Sequence, residues 1–179
     1  MKKFPFLLLD AGPIIKLFEL DLWDVFIEKC DVTIARTVAE EEVVFAGEGH
    51  EKKYIDFGLK PYEEKGLIKI IDVESSEVKA FYDKFNLWYK AIIDDGEKET
   101  LAFLFDSPED WLVCSADHAV FSILGMFGKA EQGISLEEVL QKIGQSGSLE
   151  WKYTKKFREK YSRIGKIDSI QDRGLEQKS

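Results

Sequence analysis

Cysteine, histidine, proline and extended apolar runs are all scarce in this chain of 179 residues, which has two Cys, two His and four Pro. Cys30 and Cys114 show no CxxC spacing, which excludes a disulfide framework and a zinc site, and both lie beside apolar runs that should place them inside. The N-terminal apolar run from Phe4 to Leu9 stops at Asp10. It is too short to span a membrane and is followed by no small-residue cleavage site, so a cytoplasmic protein is expected. Gly and Pro together number 17 and charged residues make up 33%, a balance that excludes collagenous and low-complexity classes. What is present is an ordinary globular composition, 45% hydrophobic and 13% aromatic, enough for one core.

Positive charge is also in deficit, at a net charge of -9, which argues against a simple polyanion binder. The deficit is uneven. Residues 1–150 carry net -14 and residues 151–179 carry net +5. The expected organisation is therefore an acidic body over residues 1–148 and a basic, aromatic helical tail over 149–179.

Short buried-type runs at Phe4 to Leu9, Val32 to Ala35, Leu67 to Val73 and Trp111 to Cys114 alternate with helical periodicity. That alternation predicts an α/β class, with a central parallel sheet of about four to five strands covered on both faces. Asp10-Ala11-Gly12-Pro13 reads as a strand-to-helix turn, with Pro13 early in the helix. The spacing of Val78, Phe81, Phe85 and Trp88 predicts one amphipathic helix, with Ser75 and Ser76 as candidate caps. Asp94 with Glu97, and Ser135 with Glu138, read as capping pairs opening two more helices. Between Ala46 and Lys65 the chain turns polar and Gly-rich, a loop or short-helix insertion.

In parallel α/β sheets ligands bind beyond the carboxyl ends of the strands. Asp10 follows the first run directly, and Asp117 follows the last through Ser115 and Ala116. Glu40, Glu41 and Glu42 lie just after the second run, and Asp94, Asp95, Glu97 and Glu99 open a helix at the same edge. Each acid taken singly also reads as a helix cap, Asp94 most of all. Taken jointly, several clustered carboxylates stay ionised only if a cation neutralises them. Oxygen donors without His or Cys favour Mg²⁺ or Mn²⁺, and such sites commonly handle phosphates.

These residues resemble the PIN domain, the metal-dependent nuclease fold of VapC-type toxins. LLLDAGPIIKLFELDLWDVF is similar to the family's opening, TIARTVAEEEV to its second motif, DDGEKETLAFLF to the D-x-G-E-x-E segment of one subgroup, WLVCSADHAVFSILGMFG to its closing strand and helix, and GISLEEVLQKIG to the segment that follows. The resemblance covers about residues 4 to 145, in order. It implies a three-layer α/β/α PIN-like fold and a catalytic quartet of Asp10, Glu41, Glu97 and Asp117. Asp10, Glu97 and Asp117 would hold Mg²⁺ or Mn²⁺, with Asp94, Glu99 and Ser115 supporting them. Placing Val38 on the family's apolar position selects Glu41, whereas an apolar residue directly after the acid would select Glu42. The long segment from about Ala46 to Asp94 and the basic tail depart from short toxin-like members.

The implied activity is an endoribonuclease, one candidate role being the toxin of a toxin and antitoxin pair, with RNA and an antitoxin as partners and a homodimer as the assembly. A non-catalytic PIN-like RNA-binding or scaffold protein is the alternative. A haloacid-dehalogenase phosphatase would need a second Asp where Gly12 stands. His118, beside Asp117, reads as a cap or surface residue before it reads as a general base. In the tail, Tyr153, Phe157 and Tyr161 recur every four residues along a basic helix. Either the rings dock on the core, or they stack on nucleic acid with Lys152, Lys155, Lys156 and Arg158 on phosphates.

Overall fold

The computed structural model describes residues 3–42, 45–46, 53–54 and 58–176, with the backbone alone at 41–42, 45–46 and 53–54. The strands are β1 (Phe4–Leu9), β2 (Cys30–Ala35), β3 (Phe45–Ala46), β4 (Lys53–Tyr54), β5 (Ile68–Ile71), β6 (Leu112–Cys114) and β7 (Gly133–Ile134). The α-helices are α1 (Ala11–Glu19), α2 (Trp23–Lys29), α3 (Lys60–Glu64), α4 (Ser75–Tyr82), α5 (Leu87–Ile92), α6 (Asp95–Asp106), α7 (His118–Met126), α8 (Leu136–Lys142) and α9 (Lys155–Ile170). Five strands form one all-parallel sheet in the order β5-β2-β1-β6-β7, and β3 and β4 form a separate antiparallel pair.

The central position of β1 follows from its side chains. Leu7, Leu8 and Leu9 are all fully buried, which a strand achieves only when both faces of its sheet are covered. Leu7 and Leu9 point into a core with α1, α2 and α8, built on Ile14, Leu17, Phe26, Val139 and Leu140. Leu8 points the other way, with Val113, into a core shared with α4 to α7 and α9, built on Phe85, Leu101, Leu104, Phe121 and Leu124. The two cores are the faces of a three-layer α/β/α sandwich.

Two local expectations are revised. The stretch read as one helix through Val78, Phe81, Phe85 and Trp88 is two, because the chain turns after Tyr82. At that turn Phe85 bridges antiparallel to Leu175, and the Asn86 N–H donates to the Gly174 carbonyl at 2.9 Å. The Asn86 side chain then caps α5, accepting from Tyr89 N–H, and Trp88 is left 68% exposed. Glu74, without a side-chain cap bond, holds the N-cap position expected of Ser75 or Ser76. The fifth strand, β7, is two residues long, too short for any periodicity to announce it.

The tail packs tightly on the body. All eight residues of α7 from Ala119 to Met126 are buried between the sheet and α9. A Cβ on Gly165 would lie 1.7 Å from the Ser122 carbonyl oxygen, and one on Gly125 would lie 2.0 Å from that of Ser162. The two helices therefore touch backbone to backbone, which only glycine permits.

Candidate functional site

The carboxyl edge of the sheet gathers three helix starts, those of α1, α6 and α7, and each is capped by an acid. Asp10 continues the ladder beyond β1, its N–H donating to the Cys114 carbonyl at 3.1 Å. Its side chain caps α1 by accepting from Ala11 N–H at 2.9 Å. Its second carboxylate oxygen accepts from the Ser115 hydroxyl at 2.6 Å, and that hydroxyl in turn accepts from Asp117 N–H at 3.0 Å. Asp117 caps α7 through Ala119 N–H at 2.7 Å. Asp94 and Glu97 form a capping box at the start of α6, with Glu97 N–H donating to Asp94 and Asp94 N–H donating to Glu97. The capping role expected most strongly at Asp94 thus holds at Asp10 and Asp117 as well.

Caps alone do not account for the charge. Asp10 is 6% exposed and Glu97 only 2%, and among the described residues neither has a Lys or Arg partner. Burial pushes the Asp10 carboxyl up to about 6, with Asp94 and Asp117 adding to the shift while the Ser115 and Ala11 bonds oppose it. Burial pushes Glu97 further, to about 10, with Asp10, Asp117 and Asp94 each contributing repulsion. The structure therefore brings Asp10, Asp94, Glu97 and Asp117 within electrostatic reach of one another.

Whether this donor set suits a divalent ion can be judged from its chemistry. All the donors are oxygens, and two of the carboxyls are buried in want of positive charge, which fits Mg²⁺ or Mn²⁺ better than zinc. The side chains are turned toward helix amides, however. Among the described residues no three His, Cys, Asp or Glu side chains are grouped to hold a metal ion.

The remaining candidates separate clearly. Glu99 is buried, but its two oxygens accept from Thr37 N–H at 2.8 Å and Val73 N–H at 3.1 Å. It fastens together the chain leaving β2 and the chain leaving β5. A cavity of about 410 Å³ lies on that side of the edge, lined by Thr37, Val73, Tyr82, Lys98 and Glu99, with the Lys98 ammonium 4.4 Å from the centre of the Tyr82 ring. Glu40 is exposed and paired with Arg36 at 2.8 Å, on a π-helical turn over Val38–Glu42. The side chains of Glu41 and Glu42 lie outside the described residues. His118 is exposed, 3.1 Å from Asp117 and edge-on to Tyr161.

In the tail, the rings dock on the core. Tyr153 and Phe157 are buried, and the Tyr153 hydroxyl donates to the Gly12 carbonyl at 3.3 Å. Arg158, expected on phosphates, forks its guanidinium onto both oxygens of Glu138 at 2.8 and 2.9 Å. Lys155 lies 3.7 Å from Glu159, Lys152 lies over the Tyr153 ring, and Lys156 is exposed. Sequence reasoning missed Lys160, which stands 5.0 Å from the Trp151 ring centre and 5.1 Å from that of Tyr161. Its only signal was a position one turn beyond Lys156 on the same basic helix. Among the described residues no helix is long and apolar enough to cross a membrane. No family model, no curated protein and no solved structure matches the chain.

Proposed function

We propose that the protein is a Mg²⁺- or Mn²⁺-dependent endoribonuclease of PIN type, acting in the cytoplasm on RNA phosphodiester bonds. The observation that carries this reading is the buried pair Asp10 and Glu97 at the carboxyl edge of the sheet, neither of which has a Lys or Arg partner among the described residues. Asp10, Glu97 and Asp117 would hold the ion, with Glu41 completing the quartet. A bound divalent ion supplies an activated water and charge stabilisation on the phosphodiester oxygens. The protein's own contribution is orientation. Ser115 fixes one face of the Asp10 carboxylate, and the helix amides at Ala11, Glu97 and Ala119 fix the carboxylates of Asp10, Asp94 and Asp117. Exposed Lys152, Lys156, Lys160, Arg163 and Lys166 are tail cations open to an RNA backbone. A role as the toxin of a toxin and antitoxin pair, with an antitoxin partner and a homodimeric assembly, belongs to the same proposal.

One observation favours a second reading. Each carboxylate of the described trio already serves a helix start, and no ready-made metal group is present among the described residues. That is the arrangement of a non-catalytic PIN-like RNA-binding or scaffold protein, since a fold persists without its chemistry. Cleavage of a mixed single-stranded RNA in Mg²⁺ or Mn²⁺, with EDTA and Asp10→Asn as controls, separates the two. Metal-dependent cleavage lost in Asp10→Asn supports the enzyme. RNA binding without cleavage, together with no heat on Mn²⁺ titration, favours the scaffold.

A further inference from the structure

We propose that the opposite, amino edge of the sheet carries an anion site for a phosphorylated small molecule, built from Lys3, Lys29 and Lys142. An open cavity of about 670 Å³ there is walled by these three lysines with Phe4, Pro5 and Ile143. The cations come from three places: the chain before β1, the last turn of α2 and the last turn of α8. Among the described residues no carboxylate lines the cavity. Among the described residues none of the three lysines forms an ion pair, in a protein whose net charge is -9 and whose Lys16, Lys69, Lys79, Lys90 and Lys98 all do.

Lysines near helix ends commonly serve the last carbonyls. Here the Lys3 ammonium donates to the Ile27 carbonyl and the Lys29 ammonium to the Ile143 carbonyl, both at 2.8 Å. Each bond uses one of the three protons an ammonium offers, and neither removes a charge. Lys142 lies 5.9 Å from the centre of the Phe4 ring. The carbonyls thus position cations without neutralising them. Lys3 and Lys29 share one locality, since both act electrostatically on the buried Cys30 thiol.

The backbone that follows the cavity residues Phe4 and Pro5 is unusual as well. Phe6 adopts a φ of 51°, and the ladder between β1 and β2 shifts register between Phe4 and Leu7. A positive φ on a bulky residue is strained, and such strain and bulges concentrate at binding sites. Three ammoniums around open space suit phosphoryl oxygens, while Phe4, Pro5 and Ile143 offer an apolar wall to an organic moiety. The six residues of β1 span roughly 20 Å, at about 3.3 Å each, between this cavity and Asp10. The site is therefore separate from the acidic edge and does not depend on the nuclease reading.

The test is calorimetric titration of the whole protein with pyrophosphate and with ADP, in EDTA and at low ionic strength, so that no metal-bridged phosphate forms at the carboxylates. Lys3→Gln, Lys142→Gln and the double variant are titrated alongside. One site is expected, with ADP bound more tightly than pyrophosphate. Each single variant should weaken binding roughly tenfold, the scale of one charge-assisted hydrogen bond. Thermal unfolding of Lys142→Gln should match the unsubstituted protein, because that side chain is exposed. Absence of heat with both probes at millimolar concentration overturns the proposal, as does unchanged binding in the double variant. Equal affinity for the two probes overturns the organic half of the ligand assignment.

Discussion

Glu97 and Glu138 occupy the same local position and meet opposite fates. Each is the third residue of a helix and closes a capping box, Glu97 with Asp94 and Glu138 with Ser135. Burial penalises the charge on both. At Glu138 the penalty is more than offset by the Arg158 fork and by the Ser135 backbone and hydroxyl donors, which hold the carboxyl below its ordinary value. At Glu97 the neighbours are Asp10, Asp117 and Asp94, and the carboxyl rises to about 10. A capping box therefore says nothing about charge state, which is set by partners from distant parts of the chain. One glutamate is completed by the protein's own guanidinium, and the other is left needing a proton or a cation.

The most forceful way to break the contrast is to make Glu138 resemble Glu97. Arg158→Gln strands a largely buried carboxylate and should cost about 3 kcal/mol in urea unfolding, the scale for removing one member of a buried pair. In the other direction, Asp10→Asn or Glu97→Gln should lower metal-dependent RNA cleavage by at least about 100-fold, the upper range for losing even a supporting group at a metal site. Glu97→Gln should leave the fold intact, since Gln also closes a capping box.

The pH dependence sharpens the same contrast. Asp10 and Glu97 have folded pKa values above their ordinary ones, so each contributes most below about pH 4 and loses that contribution as pH rises, Asp10 through about 6 and Glu97 through about 10. Glu138, held low, contributes above the ordinary carboxylate range and loses its contribution as pH falls. The metal-free melting temperature should therefore decline from pH 5 to pH 9, Mn²⁺ should restore it mostly at the alkaline end, and Glu97→Gln should flatten the decline. Smallest in effect, Ser115→Ala removes the hydroxyl from Asp10 and should weaken Mn²⁺ binding about tenfold, with the calorimetric pH profile shifted upward.

Local patterns in the sequence already carry much of this. The apolar run before Asp10, the Gly-Pro turn after it and both capping boxes are written in consecutive residues, and the folded chain has them where the spacing puts them. Features that depend on distant partners are not written there. Phe85 leaves its helix for a bridge with Leu175, ninety residues of chain away, and the apolar spacing that includes Trp88 is coincidental. Arg158 looks like one more tail cation until Glu138 is beside it. The hydroxyl of Ser115, two residues from Asp117, serves the carboxylate of Asp10, and only the pairing of β1 with β6 reveals it.

The backbone contact of α7 with α9 bears on how the protein is made. Every residue of α7 from Ala119 to Met126 is buried, and α9, which covers its outer side, is synthesised after it. While residues 155–170 remain in the exit tunnel, the outer side of an apolar helix has no lid. Closure of this face is thus deferred until those residues emerge. A chain stalled before that point presents a sticky surface of the kind that chaperones cover.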